Sequence, residues 1–146
     1  MITINIANQT LTYKDTVYLI SSAANGVGEI QGSFCTPLGK FKISEKIGDD
    51  LELGSVLVGR VPTGEVYSKK LFDEQPGRDW ILSRILWLDG VESHNKNTKQ
   101  RYIYIHGSAD EFTMGKPGSK GCIRMKNNDI IQLFNQVKVG EEVVIK

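Results

Sequence analysis

Apolar residues at Ile2, Ile4 and Ile6 alternate with polar ones, and after a polar break at Ala7-Asn8-Gln9-Thr10 the alternation resumes at Leu11 and Tyr13. A period of two places every second side chain on one face of an extended strand, so the chain opens as a β-hairpin with one buried face. Period-two or β-branched segments return at residues 16–22, 41–43, 55–58, 80–88, 102–106 and 143–145. Helical periodicity is confined to residues 128–137, where Ile130, Ile131, Leu133, Phe134 and Val137 form one apolar face, Asn127 or Asn128 supplies a cap and Gly140 lies beyond the end. One or two helical turns also fit residues 67–74. A chain with many short strands and one well-marked helix is expected to fold as a mainly β (α+β) domain.

No repeat, linker or low-complexity stretch divides residues 1–146, so one domain is expected. Residues 24–39 hold Gly26, Gly28, Gly32, Pro37 and Gly39 and read as a long loop. The formal net charge is only +1, which announces no nucleic-acid partner. No run of about 18 apolar residues is present, so no segment reads as a membrane-spanning helix. The first residues carry neither a basic n-region nor an apolar h-region, and the protein is therefore expected in the cytoplasm; a leader removed ahead of Met1 would place it in the envelope.

The chemically informative segments are Tyr102-Ile103-Tyr104-Ile105-His106-Gly107 and Ser119-Lys120-Gly121-Cys122-Ile123-Arg124-Met125. A thiol attacks as its thiolate, so a nucleophilic cysteine needs a base or positive charge nearby. His106, at a strand end, is a candidate base for Cys122, with Lys120 and Arg124 making the surroundings electropositive. Gly121 lacks a Cβ, which lets a substrate carbonyl approach the backbone N–H groups of Gly121 and Cys122 as an oxyanion hole. On the residues alone, Cys122 is as readily a buried small hydrophobe as a reactive thiol, and His106 by itself reads as structural. Cys35, beside Phe34, fits a buried hydrophobe, and His94 a solvated loop residue. The two cysteines and two histidines have no paired metal-ligand spacing, so neither metal nor cofactor is expected. Arg84 interrupts an apolar strand and either lines a groove or sits at a surface edge.

Those two segments together resemble the signature of L,D-transpeptidase (YkuD-type) catalytic domains, an I-H-G segment followed by S-H-G-C-I-R-[LM]. Thr36-Pro37-Leu38-Gly39-Lys40-Phe41 is similar to the family's T-P-x-G-x-F, and the helix, turn and strand after Asn127 resemble its closing elements. The resemblance implies a β-sandwich with a short helix near the C-terminus. It implies further that Cys122 is the nucleophile and His106 the base, attacking the bond between diaminopimelate and terminal D-alanine in peptidoglycan stem tetrapeptides through a thioester. Ser119 matches the family serine, expected to orient His106, and Arg124 matches an arginine suited to a substrate carboxylate. Lys120 stands where the family usually has a second histidine. The resulting expectation is a cytosolic L,D-carboxypeptidase of wall recycling. An envelope cross-linking transpeptidase and a non-catalytic peptide-binding module are the alternatives. Oligomeric state is left open.

Overall fold

A computed structural model describes all 146 residues. In chain order the elements are β1 (Ile2–Asn5), β2 (Thr10–Tyr13), β3 (Thr16–Ser21), β4 (Gly39–Ile47), β5 (Ser55–Val58), β6 (Val61–Val66), α1 (Lys69–Glu74), β7 (Ile81–Gly90), β8 (Tyr104–Gly107), β9 (Ile123–Met125), α2 (Asn127–Phe134) and β10 (Glu142–Ile145). The mainly β expectation with a short helix near the C-terminus is met. The strands form one hydrogen-bonded sheet in the order β4-β10-β1-β2-β3-β9-β8-β7-β5-β6, and a further β4–β7 pairing closes it on itself. The β5–β6 hairpin projects from β7 outside that closure.

The opening alternation explains the core. Ile2, Ile4, Leu11 and Tyr13 turn inward with Ile20, Phe41, Leu86, Leu88, Ile105, Ile123, Val143 and Ile145 in one cluster of 20 buried residues. Each fully buried Ile or Leu stabilises the fold by roughly 1.5–3 kcal/mol. The apolar face of α2 (Ile130, Leu133, Phe134) is part of the same cluster, and the helix packs against β7 and β8. Neither Asn127 nor Asn128 caps it: Lys126 is the N-cap residue and donates no side-chain cap. The Asn127 side chain instead accepts from Ser83 Oγ (2.7 Å) and donates to the Ser108 carbonyl (3.0 Å), tying α2 to the sheet.

Two strand features were not legible from periodicity. In β7, Leu82 pairs with Gly107 but Ile85 with His106, so Ser83 and Arg84 form a bulge, with Ser83 at φ +71°. The strand expected from residue 102 begins at Tyr104, because Tyr102 adopts φ +57°. Both irregularities border the parallel β8–β9 pair, where the chemically suggestive residues sit.

Candidate active site

β8 and β9 run parallel with Ile105 opposite Ile123 and His106 opposite Arg124. Side chains two residues apart on a strand share a face. Ile105 and Ile123 therefore point into the core, while Tyr104, His106, Arg124 and, just ahead of β9, Cys122 turn the other way. All four line a cavity of about 500 Å³, together with Phe34, Gly59, Arg60, Asp79, Ile81, Arg101, Tyr102, Ser119 and Lys120. The parallel pairing is what gathers a cysteine and a histidine sixteen residues apart in sequence.

Cys122 is half-buried. Its Sγ donates to the Tyr102 carbonyl at 3.3 Å and accepts from the Tyr104 N–H at 3.3 Å. The left-handed backbone of Tyr102 turns that carbonyl toward the sulfur. Burial pushes the thiol up to about 12; the Tyr104 N–H and Arg124 lower it, and Asp79 raises it further. Lys120 lines the same cavity but is exposed, so solvent screens its ammonium, which weakens the expectation of an activating charge.

His106 is buried, and its Nδ1 lies 2.6 Å from the Gly107 carbonyl. A carbonyl only accepts, so the proton belongs on Nδ1 and Nε2 keeps its lone pair. Burial pulls the imidazole below its ordinary value, Gly107 and Asp79 oppose that, and Arg124 reinforces it. The resting pair is thus neutral thiol and neutral imidazole. They share the cavity, but the thiol proton is directed to Tyr102 rather than to His106.

Ser119 does not hold the histidine, as expected for it; the Gly107 carbonyl does. The Ser119 hydroxyl donates to the Cys122 carbonyl (2.5 Å) and accepts from the Gly121 N–H (3.2 Å), so it knots the loop that carries Cys122. Of the two expected oxyanion donors, Gly121 N–H is therefore occupied, whereas the Cys122 N–H has no partner in the chain. Gly121 sits at φ +128°, a conformation glycine adopts without strain. Its carbonyl accepts from Thr36 Oγ1 at 2.9 Å, and that hydroxyl accepts in turn from the Ala23 N–H at 3.0 Å. Thr36 thereby braces the loop from the glycine-rich segment.

The Arg124 side chain stacks on Phe112 with its guanidinium carbon 4.1 Å from the ring centroid and makes no hydrogen bond within the chain. It faces the cavity free to bind an anion. Arg84 does not line the groove. The bulge turns it away, and it is buried with Nη1 donating to the Leu51 and Ser83 carbonyls, both at 2.8 Å. Its role is to hold loop backbone. Cys35 is not a lining residue; its carbonyl accepts from Arg101 at 2.7 Å. His94 is exposed, with Nε2 at 3.0 Å from the Leu38 carbonyl.

Sequence reasoning gave no role to Asp79, Tyr102, Tyr104, Arg60 or Thr36 in this region. Asp79 and Arg60 lie in connecting segments whose path no periodicity encodes. Thr36 was signalled by its T-P-x-G-x-F context without a role.

A sequence profile of the YkuD family, described as the L,D-transpeptidase catalytic domain, matches residues 1–145. The chain is 44% identical over 110 residues to the Bacillus subtilis protein named as the L,D-transpeptidase YqjB, a match spanning 75% of this chain and 51% of that one. With the B. subtilis protein named as the L,D-transpeptidase YkuD it shares 36% over 97 residues, 65% of this chain and 50% of that one. The chain thus spans about half the length of these relatives. Among solved structures, an Enterococcus faecium L,D-transpeptidase superposes with a TM-score of 0.59 at 21% identity, covering 99% of this chain and 48% of that one. L,D-transpeptidase 3 of Mycobacterium tuberculosis, carrying a faropenem-derived adduct, gives 0.58 at 16% identity, with 99% and 59% covered. These structural likenesses concern the fold. With the profile spanning nearly every residue, the chain belongs to the YkuD family of L,D-transpeptidase catalytic domains.

Proposed function

We propose that this chain is a cysteine acyl-transfer enzyme that cleaves the bond between diaminopimelate and terminal D-alanine in peptidoglycan stem tetrapeptides, with water as the final acceptor. The observation that carries the reading is the shared face of β8 and β9, which turns Cys122, His106 and Arg124 into one cavity. A peptide carbonyl entering beside the sulfur displaces the thiol from the Tyr102 carbonyl. Nε2 of His106, the ring nitrogen left with its lone pair, takes the thiol proton as the Sγ–C bond forms. The Cys122 N–H meets the oxyanion that develops. Transfer of the same proton from His106 to the departing nitrogen breaks the C–N bond, releasing D-alanine and leaving a thioester on Cys122. Water then attacks the thioester with His106 as base again, regenerating thiol and tripeptide. Arg124 holds a substrate carboxylate while the thioester forms.

A resting thiol near 12 suits this sequence, since proton transfer is coupled to attack and the site need not store a thiolate. The choice of water is supported by the cavity's open rim, where Phe34, Asp79 and Lys120 are exposed. Residues 64–84 supply no lid over it: Leu71 and Phe72 pack onto the Trp80 cluster, and only Asp79 and Ile81 of that stretch reach the cavity. Transpeptidation requires an amine held near attack geometry with water limited. In this reading the enzyme trims returned tetrapeptides in the cytosol.

The test is incubation of purified protein with disaccharide tetrapeptide, followed by mass spectrometry. The expected products are tripeptide and free D-alanine, and Cys122→Ala is expected to give none while keeping its melting temperature within a few degrees. Cross-linked dimer as the main product would make it a transpeptidase of the envelope. Binding without turnover would make it a peptide-binding module.

A further inference from the structure

Arg60 occupies the tip of the β5–β6 hairpin, where Val58 pairs with Val61 and Gly59 and Arg60 form a two-residue turn at φ +55° and +67°. A left-handed backbone disfavours a residue with a Cβ, and such turns favour glycine or asparagine at both positions. The arginine is nevertheless fixed in place. Its guanidinium carbon lies 4.5 Å from the Trp87 ring centroid and 5.3 Å from that of Tyr102, and Nη1 donates to Tyr104 Oη at 3.0 Å. No carboxylate pairs with it: Glu45, on the same side, lies nearer Lys99, at 3.7 Å. Arg101, also in the cavity wall, is consumed by the Gly28 and Cys35 carbonyls. Arg60 is therefore a preorganised guanidinium with donors to spare, turned toward the cavity.

Tyr104 acts as a ruler between this group and the nucleophile. Its backbone N–H reaches Sγ of Cys122 and its phenol oxygen meets Arg60. The guanidinium is thus no farther from the sulfur than one tyrosine side chain and two hydrogen bonds. The carbon chain joining the two carboxyl groups of diaminopimelate, one of which becomes the acyl carbon on the sulfur, fits within that limit, and both residues line the same cavity.

We propose that Arg60 reads the free carboxylate at the far end of the donor residue's side chain, so that the enzyme prefers diaminopimelate over donors in which that carboxylate is amidated or, as in lysine, missing. The inference rests on the stem-peptide reading above and assigns it a second anion subsite, separate from Arg124. A guanidinium fork pairs with a carboxylate through two parallel hydrogen bonds, gains less from a neutral amide, and against lysine meets the ammonium without the carboxylate that offsets it in diaminopimelate. Aromatic stacking keeps the fork oriented before substrate arrives, which lowers the ordering cost of binding.

The experiment compares three disaccharide tetrapeptides, with diaminopimelate, side-chain-amidated diaminopimelate or lysine as third residue, on wild type, Arg60→Gln and Arg60→Lys. Wild type is expected to favour the free carboxylate in kcat/KM by on the order of tenfold to a hundredfold, the range that a charge-assisted hydrogen-bond pair supplies. Arg60→Gln is expected to bring the ratio of diaminopimelate to lysine close to one, and Arg60→Lys to restore part of it. An equal loss on all three substrates would assign Arg60 to the terminal D-alanine carboxylate, which they share, and overturn the inference. An unchanged preference in Arg60→Gln would overturn it as well. Turnover of none of the three by wild type would overturn the stem-peptide reading and this subsite with it.

Discussion

The thiol of Cys122 is governed by what surrounds it rather than by a basic neighbour in sequence. Burial raises it, and of the charges that reach it, Asp79 opposes ionisation while Arg124 favours it. Removing the Asp79 charge lifts a repulsion on the thiolate, so Asp79→Asn is expected to move the pH midpoint of iodoacetamide alkylation downward. Lys120→Ala is expected to leave that midpoint where it is, because the lysine is exposed and its charge is screened by solvent. A shift in Lys120→Ala as large as that in Asp79→Asn would restore the lysine as an activating group. Arg124 is unpaired and stacked on Phe112. An ammonium in its place keeps the charge but loses the fork, and Arg124→Lys is expected to lower kcat/KM by roughly tenfold or more. Equal kinetics for the two would mark the arginine as structural.

The loop that carries Cys122 depends on elements far apart in sequence. Thr36, fully buried at the start of the segment leading into β4, joins the Ala23 N–H to the Gly121 carbonyl, and Ser119 closes the other side against Cys122. Thr36→Val keeps the shape but strands a buried donor and a buried acceptor. Unpaired buried groups of this kind cost about 1–3 kcal/mol each, so a loss of that order in urea unfolding is expected. Because Gly121 also sets the position of the Cys122 N–H, kcat is expected to fall further than KM rises. A stability loss with kcat intact would separate the brace from the catalytic geometry. The β7 bulge has a comparable local effect: it turns Arg84 away from the cavity and brings Ser83 to Asn127, linking the sheet to α2.

Across the molecule, placing a neutral histidine and a neutral thiol beside a closed core ties stability to pH from both ends. Burial holds His106 below its ordinary value of 6.5, so as pH falls below 6.5 the unfolded chain binds the proton first and stability declines. Burial holds Cys122 above its ordinary value of 9.0, near 12, so between 9.0 and 12 the unfolded chain loses the proton first and stability declines again. Unfolding free energies measured across pH are expected to plateau between these limits. Cys122→Ala is expected to flatten the alkaline side, and an alkaline decline unchanged in that variant would place its cause elsewhere, with the buried Tyr13, Tyr18 and Tyr104 as the remaining raised groups.

What the sequence determined by itself was whatever repeats with a short period or stands in a contiguous motif. The Ile2-Ile4 and Leu11-Tyr13 alternation is a local steric and hydrophobic pattern, and it folded as the inner face of β1 and β2; the apolar face of α2 was equally readable. Ile105-His106-Gly107 and the segment from Ser119 to Met125 announced the family, because those side chains lie within a few residues of one another. Only the tertiary structure decided how the site is wired. The serine that was expected to orient His106 braces the loop instead, and a backbone carbonyl one residue along holds the ring. Asp79, Tyr102 and Arg60 reach the cavity through a loop, a left-handed residue and a hairpin tip, and Arg84 leaves it through a bulge. Such placements depend on where the chain reverses and how the sheet closes, and are therefore set by long-range pairing that no local periodicity records.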